Sequence, residues 1–210
     1  RLALNRLIGS STPHRILENL LYHRAQLALA DADYVQAERD ANLLLSQFPG
    51  SALRAHAYGV LTQSAWEQRR FRSVANNARK TRAEFPLDAG KVRSDLGVLE
   101  AEAWYRAGLS AEAGGQGDFR NAADTYAAVL REWSAGGETL KSGELMFQRV
   151  LAEIKSGSGE GATVLDDLES DPLFDVENRW QAEWQLARSL QLEGRTPEAF
   201  GRVSRLLAGA

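Results

Sequence analysis

Apolar residues recur along this chain at the spacing of one helical face. Leu17, Leu20, Leu21, Ala25 and Ala28 make one stripe, Phe147, Val150, Leu151 and Ile154 a second, and Phe200, Val203, Leu206 and Leu207 a third. Steps of three and four residues bring such side chains to one side of a helix with 3.6 residues per turn. The pattern predicts helices over roughly 13–30, 34–47, 52–68, 71–84, 89–108, 118–134, 140–155, 161–169, 175–193 and 197–208, after a helical stretch from Arg1 to Ile8. Stop and start signals fall between the stripes. Thr12-Pro13 and Thr196-Pro197 read as an N-cap followed by proline in the first turn. Ser51, Asp88 and Asp118 can cap their helices, and Gly194 suits a left-handed residue at a helix C-terminus.

The helices repeat. Tyr34, Ala37, Phe48 and Pro49 return 37 residues later as Phe71, Val74, Phe85 and Pro86. A third copy carries Phe119, Ala122 and Tyr126, and a last one carries Leu186, Ala187, Leu190, Gly194, Ala199 and Val203 at the same mutual spacings. A fourth copy, Leu140 to Leu173, keeps only the helix–turn–helix rhythm. These residues resemble the tetratricopeptide repeat, with its small residues in both helices, its aromatic beside the turn and its terminal proline. The resemblance implies an all-α fold, an α-solenoid of about five antiparallel helix hairpins wound as a right-handed superhelix, and a single domain over 1–210.

Two segments interrupt the rhythm. Leu109–Gly117 reads as an extra surface loop in the third hairpin, able to meet a partner, and Ser156–Gly161 as a flexible link in the fourth. Arg1 is not a methionine, and the last helix has no repeat after it to cover Phe200, Val203 and Leu207. Both features suggest part of a longer array, and the terminal helix offers a face for self-association.

Composition supports helices and narrows the chemistry. Hydrophobic residues make up 44% of the 210, enough for a core, while Val, Ile and Thr are sparse. The formal net charge of −3 gives no general attraction to nucleic acid or anionic lipid, so neither is an expected partner. The chain has no cysteine, which removes thiol catalysis, disulfides and thiolate metal sites. No apolar run approaches the ~18 residues that span a bilayer. The glycines at 157, 159 and 161 follow a helix and lack the lysine of a phosphate-binding loop. His14, His23 and His56 have no metal-ligand spacing, and no serine nucleophile motif occurs. The pairs Asp166–Asp167 and Asp171–Asp175 read as solvated carboxylates before they read as an acid and base. Arg69, Arg70, Arg72, Arg79, Lys80 and Arg82 form the densest charge run, read first as a solvated convex face. The expectation is a non-enzyme without cofactor or metal.

In tetratricopeptide arrays the first helix of each pair lines a concave groove. Carried over residue by residue, the resemblance puts Asn19, Tyr22, Gln26 and Leu29 on that face in the first hairpin and His56, Gln63 and Trp66 in the second. Tyr105 follows in the third, and Trp184 and Arg188 in the fifth. Aromatics for area with amides for orientation suit a protein or peptide segment, with Tyr22, Trp66, Tyr105 and Trp184 as anchors. Where some relatives place a lysine that grips a C-terminal carboxylate, the first hairpin has Tyr22 and Gln26. Repeats ending Phe48-Pro49-Gly50-Ser51 look like those of bacterial envelope proteins, so a periplasmic or envelope assembly is favoured over the cytoplasm. The alternatives are a non-catalytic repeat region of a multidomain enzyme and a self-assembly module.

Overall fold

A computed structural model describes residues 8, 14–85, 90–111, 114–136 and 142–208 of the chain. Those residues form ten α-helices and no strand. They are α1 (His14–Ala30), α2 (Tyr34–Gln47), α3 (Arg54–Glu67), α4 (Phe71–Glu84), α5 (Gly90–Ser110), α6 (Gln116–Gly136), α7 (Ser142–Ser156), α8 (Gly161–Leu168), α9 (Val176–Leu192) and α10 (Thr196–Ala208). The fold class is all-α, and each helix sits within a few residues of its predicted range. Arg1–Leu7, Thr12-Pro13, Pro86 and Asp88 lie outside the described residues. The chain divides into two compact units, Arg1–Ala103 and Trp104–Ala210, with the division inside α5.

In the first unit α1 packs on α2, α3 packs on both, and α4 packs on α3. The core is made of Leu21, Ala25 and Ala28 from α1, Ala37, Ala41 and Leu44 from α2, and Ala57, Val60 and Leu61 from α3. Alanines at the crossings let the backbones approach, and each fully buried leucine contributes about 2–3 kcal/mol. Two polar clusters tie the helices as well. Asp40, fully buried, accepts two hydrogen bonds from Arg24, from Nε at 2.7 Å and Nη2 at 2.6 Å, joining α1 to α2. Glu38 gathers Ser64 Oγ at 2.5 Å, Gln68 Nε2 at 2.9 Å and the Arg70 guanidinium. Arg79 Nε reaches the buried Glu100 at 2.7 Å, and Arg93 donates to the backbone oxygens of Arg82 and Phe85 at 2.8 and 2.9 Å. The basic run is therefore not wholly a solvated face: Arg70 and Arg79 are spent on contacts between helices.

The same turn closes three hairpins. Ala32 N–H donates to Leu29 O and Asp33 N–H to Ala28 O; Arg69 N–H donates to Trp66 O and Arg70 N–H to Ala65 O; Gly194 N–H donates to Gln191 O and Arg195 N–H to Leu190 O. All six distances fall between 2.8 and 3.1 Å. Each turn needs one left-handed residue, and Ala32, Arg69 and Gly194 supply it at φ 57°, 54° and 79°. The next helix begins two residues later in each case, at Tyr34, Phe71 and Thr196.

The second unit packs α6 on α7, α7 on α8 and α9, and α9 on α8 and α10. Tyr126 and Phe174 are its largest fully buried side chains among the described residues, and Val129, Val150 and Leu165 are fully buried as well. The loop expected at Leu109–Gly117 falls between α5 and α6, with helix extending into both of its ends. Leu109 and Ser110 end α5, and Gln116 and Gly117 begin α6. Glycine makes this tight return possible, since a Cβ on Gly115 would stand 2.5 Å from Gly108 O and one on Gly108 would stand 2.8 Å from the Phe119 ring. The link expected at Ser156–Gly161 is a hydrogen-bonded turn. Gly157 and Gly159 take φ 67° and 80°, Ser158 N–H donates to Ser156 Oγ, and Glu160 N–H donates to Ser158 Oγ, both at 3.2 Å.

Three expected caps are displaced. Thr196 is already helical, and Arg195 O accepts the first turn's hydrogen bond from Ala199 at 3.1 Å. Asp118 lies inside the first turn of α6. Ser51 Oγ accepts from Leu53 N–H at 3.0 Å, while Leu53 precedes α3 without a side-chain cap. The capping aspartates are Asp33, which accepts from Gln36 N–H at 3.2 Å, and Asp175, which accepts from Asn178 N–H at 2.8 Å.

Candidate functional site

A cleft of about 540 Å³ lies between α1 and α3. Side chains one turn apart face it from each helix: Tyr22, Gln26 and Leu29 from α1, and His56, Val60 and Gln63 from α3. Gly59 and Ala55 keep the α3 wall low, and Phe85 adds an aromatic surface. A Cβ on Gly59 would meet nothing within 4 Å, so the glycine leaves open volume there.

The polar groups of the cleft are ordered among themselves. Gln26 Nε2 donates to Tyr22 Oη at 2.8 Å, and the Tyr22 ring stands edge-on to His56 with centroids 5.6 Å apart at 68°. Among the described residues no carboxylate, lysine or arginine lines the cleft. Beside it, Arg54 is bound by Glu84 at 2.9 Å, a hydrogen bond that raises the guanidinium above its ordinary basicity. Neutral amides, a phenol and an imidazole around aliphatic walls can hold backbone amides and an apolar side chain together.

Of the residues expected on a groove face, the structure brings Tyr22, Gln26, Leu29, His56 and Gln63 into this one cleft. Asn19 is exposed on α1 outside the lining. Trp66 is half-buried with its ring edge-on to Phe71 at 5.7 Å, inside the α3–α4 hairpin. Tyr105 packs likewise on Phe119 at 5.4 Å. Both aromatics fill space between helices instead of facing the cleft. Trp184 is 62% exposed on α9, and Arg188 lines a separate cleft in the second unit. Sequence reasoning missed Gly59, Val60 and Phe85. The first two were within reach, because they fall between His56 and Gln63 on the same helical step. Phe85 enters through the turn after α4, which periodicity does not register.

Other candidate chemistry is occupied structurally. Asp166 is held by Arg202 at 2.5 Å, Asp171 Oδ1 accepts from Leu173 N–H at 2.9 Å, and Asp175 caps α9. Among the described residues, no group of three or more His, Cys, Asp or Glu could hold a metal ion. No described helix is long and apolar enough to cross a membrane. No protein-family model matches the chain, and no curated protein matches it. The class defined by the fold and the cleft is an all-helical protein with a neutral cleft between the first helices of two successive hairpins.

Proposed function

We propose that this chain is a tetratricopeptide-like α-solenoid that works as a non-catalytic scaffold, binding an extended protein or peptide segment in the cleft between α1 and α3. One observation carries the reading: Tyr22, Gln26, His56 and Gln63 converge on a cleft with aliphatic walls and, among the described residues, no charged side chain. Amide and aromatic groups of this kind recognise backbone and apolar side chains, and a cleft of this size holds a few residues of an extended chain. The repeated left-handed turn at Ala32, Arg69 and Gly194 supports the repeat architecture. So does packing between helices that are neighbours or next neighbours in sequence. The envelope setting suggested by the Phe-Pro repeat ends belongs to the same proposal.

The test is selection of peptides from a random display library on the whole chain, followed by binding to Gly59→Leu and Tyr22→Ala. Gly59→Leu fills open space on an exposed helical position, so circular dichroism should be unchanged while the selected peptides lose affinity. Failure to enrich any peptide, or enriched peptides that bind Gly59→Leu as well as the parent, would overturn the assignment of this cleft.

A second reading, self-association through the terminal helix, has its own support. Phe200 and Leu207 on α10 are 73% and 65% exposed. Sedimentation velocity at rising concentration decides it, and a strict monomer removes it.

A further inference from the structure

The second unit carries a cleft of different chemistry. It lies where α7 packs on α9, holds about 340 Å³, and is lined by Leu151, Ile154, Lys155, Gln185, Arg188, Ser189 and Leu192. No carboxylate is among these residues. Three other arginines of this unit are matched by carboxylates: Arg202 by Glu183 and Asp166, Arg195 by Glu193 and Glu198, and Arg120 by Asp124 and Glu160. Arg188 has no such partner among the described residues. The Lys155 ammonium stands 5.8 Å from the centre of the Phe119 ring, a contact that fixes its position without neutralising it.

We propose that this cleft binds an acidic peptide segment of a partner protein, in which a carboxylate side chain lies within a residue or two of an aliphatic one. The two cations meet the carboxylate, Leu151 and Ile154 take the aliphatic side chain, and Gln185 and Ser189 remain for backbone amides. Charge complementarity selects this occupant: an excess of two positive charges on a half-apolar cleft favours an anion joined to an apolar group. The proposal shares with the preceding section only the idea of a peptide ligand. It concerns a different cleft in the other unit, so the two fail separately.

The experiment uses the whole chain, isotope-labelled for NMR, titrated with acetyl-Leu-Glu-Leu-Asp-Leu-amide and with its uncharged counterpart acetyl-Leu-Gln-Leu-Asn-Leu-amide. The acidic peptide should shift the amides around Lys155, Arg188 and Ser189, bind more weakly as salt rises, and bind at least about tenfold better than the amide peptide. Lys155→Glu with Arg188→Glu should abolish that preference. Arg188→Lys should keep most of it, and Gly59→Leu should leave it unchanged. Equal binding of the two peptides, shifts confined to the α1–α3 cleft, or undiminished binding to the double variant would overturn the proposal. Displacement of the peptide by inorganic phosphate but not by acetate at equal ionic strength would also overturn it, assigning the cations to phosphate groups.

Discussion

Ala32 and Arg69 hold φ angles of 57° and 54° where the equivalent turn before α10 uses Gly194. A Cβ in the left-handed region is unfavourable by about 1–2 kcal/mol, and the turn's two hydrogen bonds hold it there. Ala32→Gly and Arg69→Gly should each stabilise the chain by about 1 kcal/mol, less the added freedom of the unfolded chain, read as a higher urea midpoint. Asp40 is the opposite case, a buried carboxylate whose charge is satisfied by one arginine. Asp40→Ala removes the buried carboxylate that binds Arg24 and should lower stability by about 3 kcal/mol, whereas Asp40→Leu combined with Arg24→Met should recover much of the loss. At the start of α10, hydrogen bonds from Arg195 hold the Glu198 carboxyl below its ordinary value. A carboxyl lowered in the folded state adds stability above its unfolded value and loses it as pH falls through the folded one. Arg195→Gln should therefore raise the Glu198 titration midpoint followed by NMR and remove that acid-side loss.

At the scale of helices, glycine marks where elements touch and where they leave space. A Cβ on Gly143 at the start of α7 would stand 2.3 Å from Leu173 O, so Gly143→Ala must push α7 from the turn before α9. It should destabilise by about 1–3 kcal/mol. Gly59, equally helical but open, should gain about 0.5–1 kcal/mol on substitution by alanine. The two variants, compared by thermal unfolding, separate packing from propensity. Helix positions were legible in the sequence because the apolar stripes follow 3.6 residues per turn and the breakers fall between them. The break within 109–117 was legible too, between the end of α5 and the start of α6, but its packing was not. Gly114, Gly115 and Gly117 look like breakers in one dimension, yet Gly115 lets α5 and α6 approach at Gly108.

For the molecule as a whole, packing between helices near in sequence makes stability local. Asp40→Ala should speed amide hydrogen exchange in α1 to α3 and leave α9 and α10 at the parent rate. Exchange rising equally throughout would show a single cooperative unit instead. The cleft belongs to the same scale. Tyr22, Gln26, His56 and Gln63 were readable as one helical face each, but their convergence needed the packing of α1 on α3.

The sequence by itself determined the helices, their order and the repeating hairpin, because periodicity and turn chemistry are local and act within one or two turns of chain. Only the tertiary structure decided which side chains the core consumes and which it leaves for a ligand. Trp66 and Tyr105 have the same amphipathic character as Tyr22, yet neighbouring rings Phe71 and Phe119 draw them into the packing. Arg79 and Arg188 are likewise both exposed cations on a helix, yet Glu100 lies within reach of the first and no described carboxylate within reach of the second. Such outcomes depend on distances between helices, which no spacing along the chain encodes.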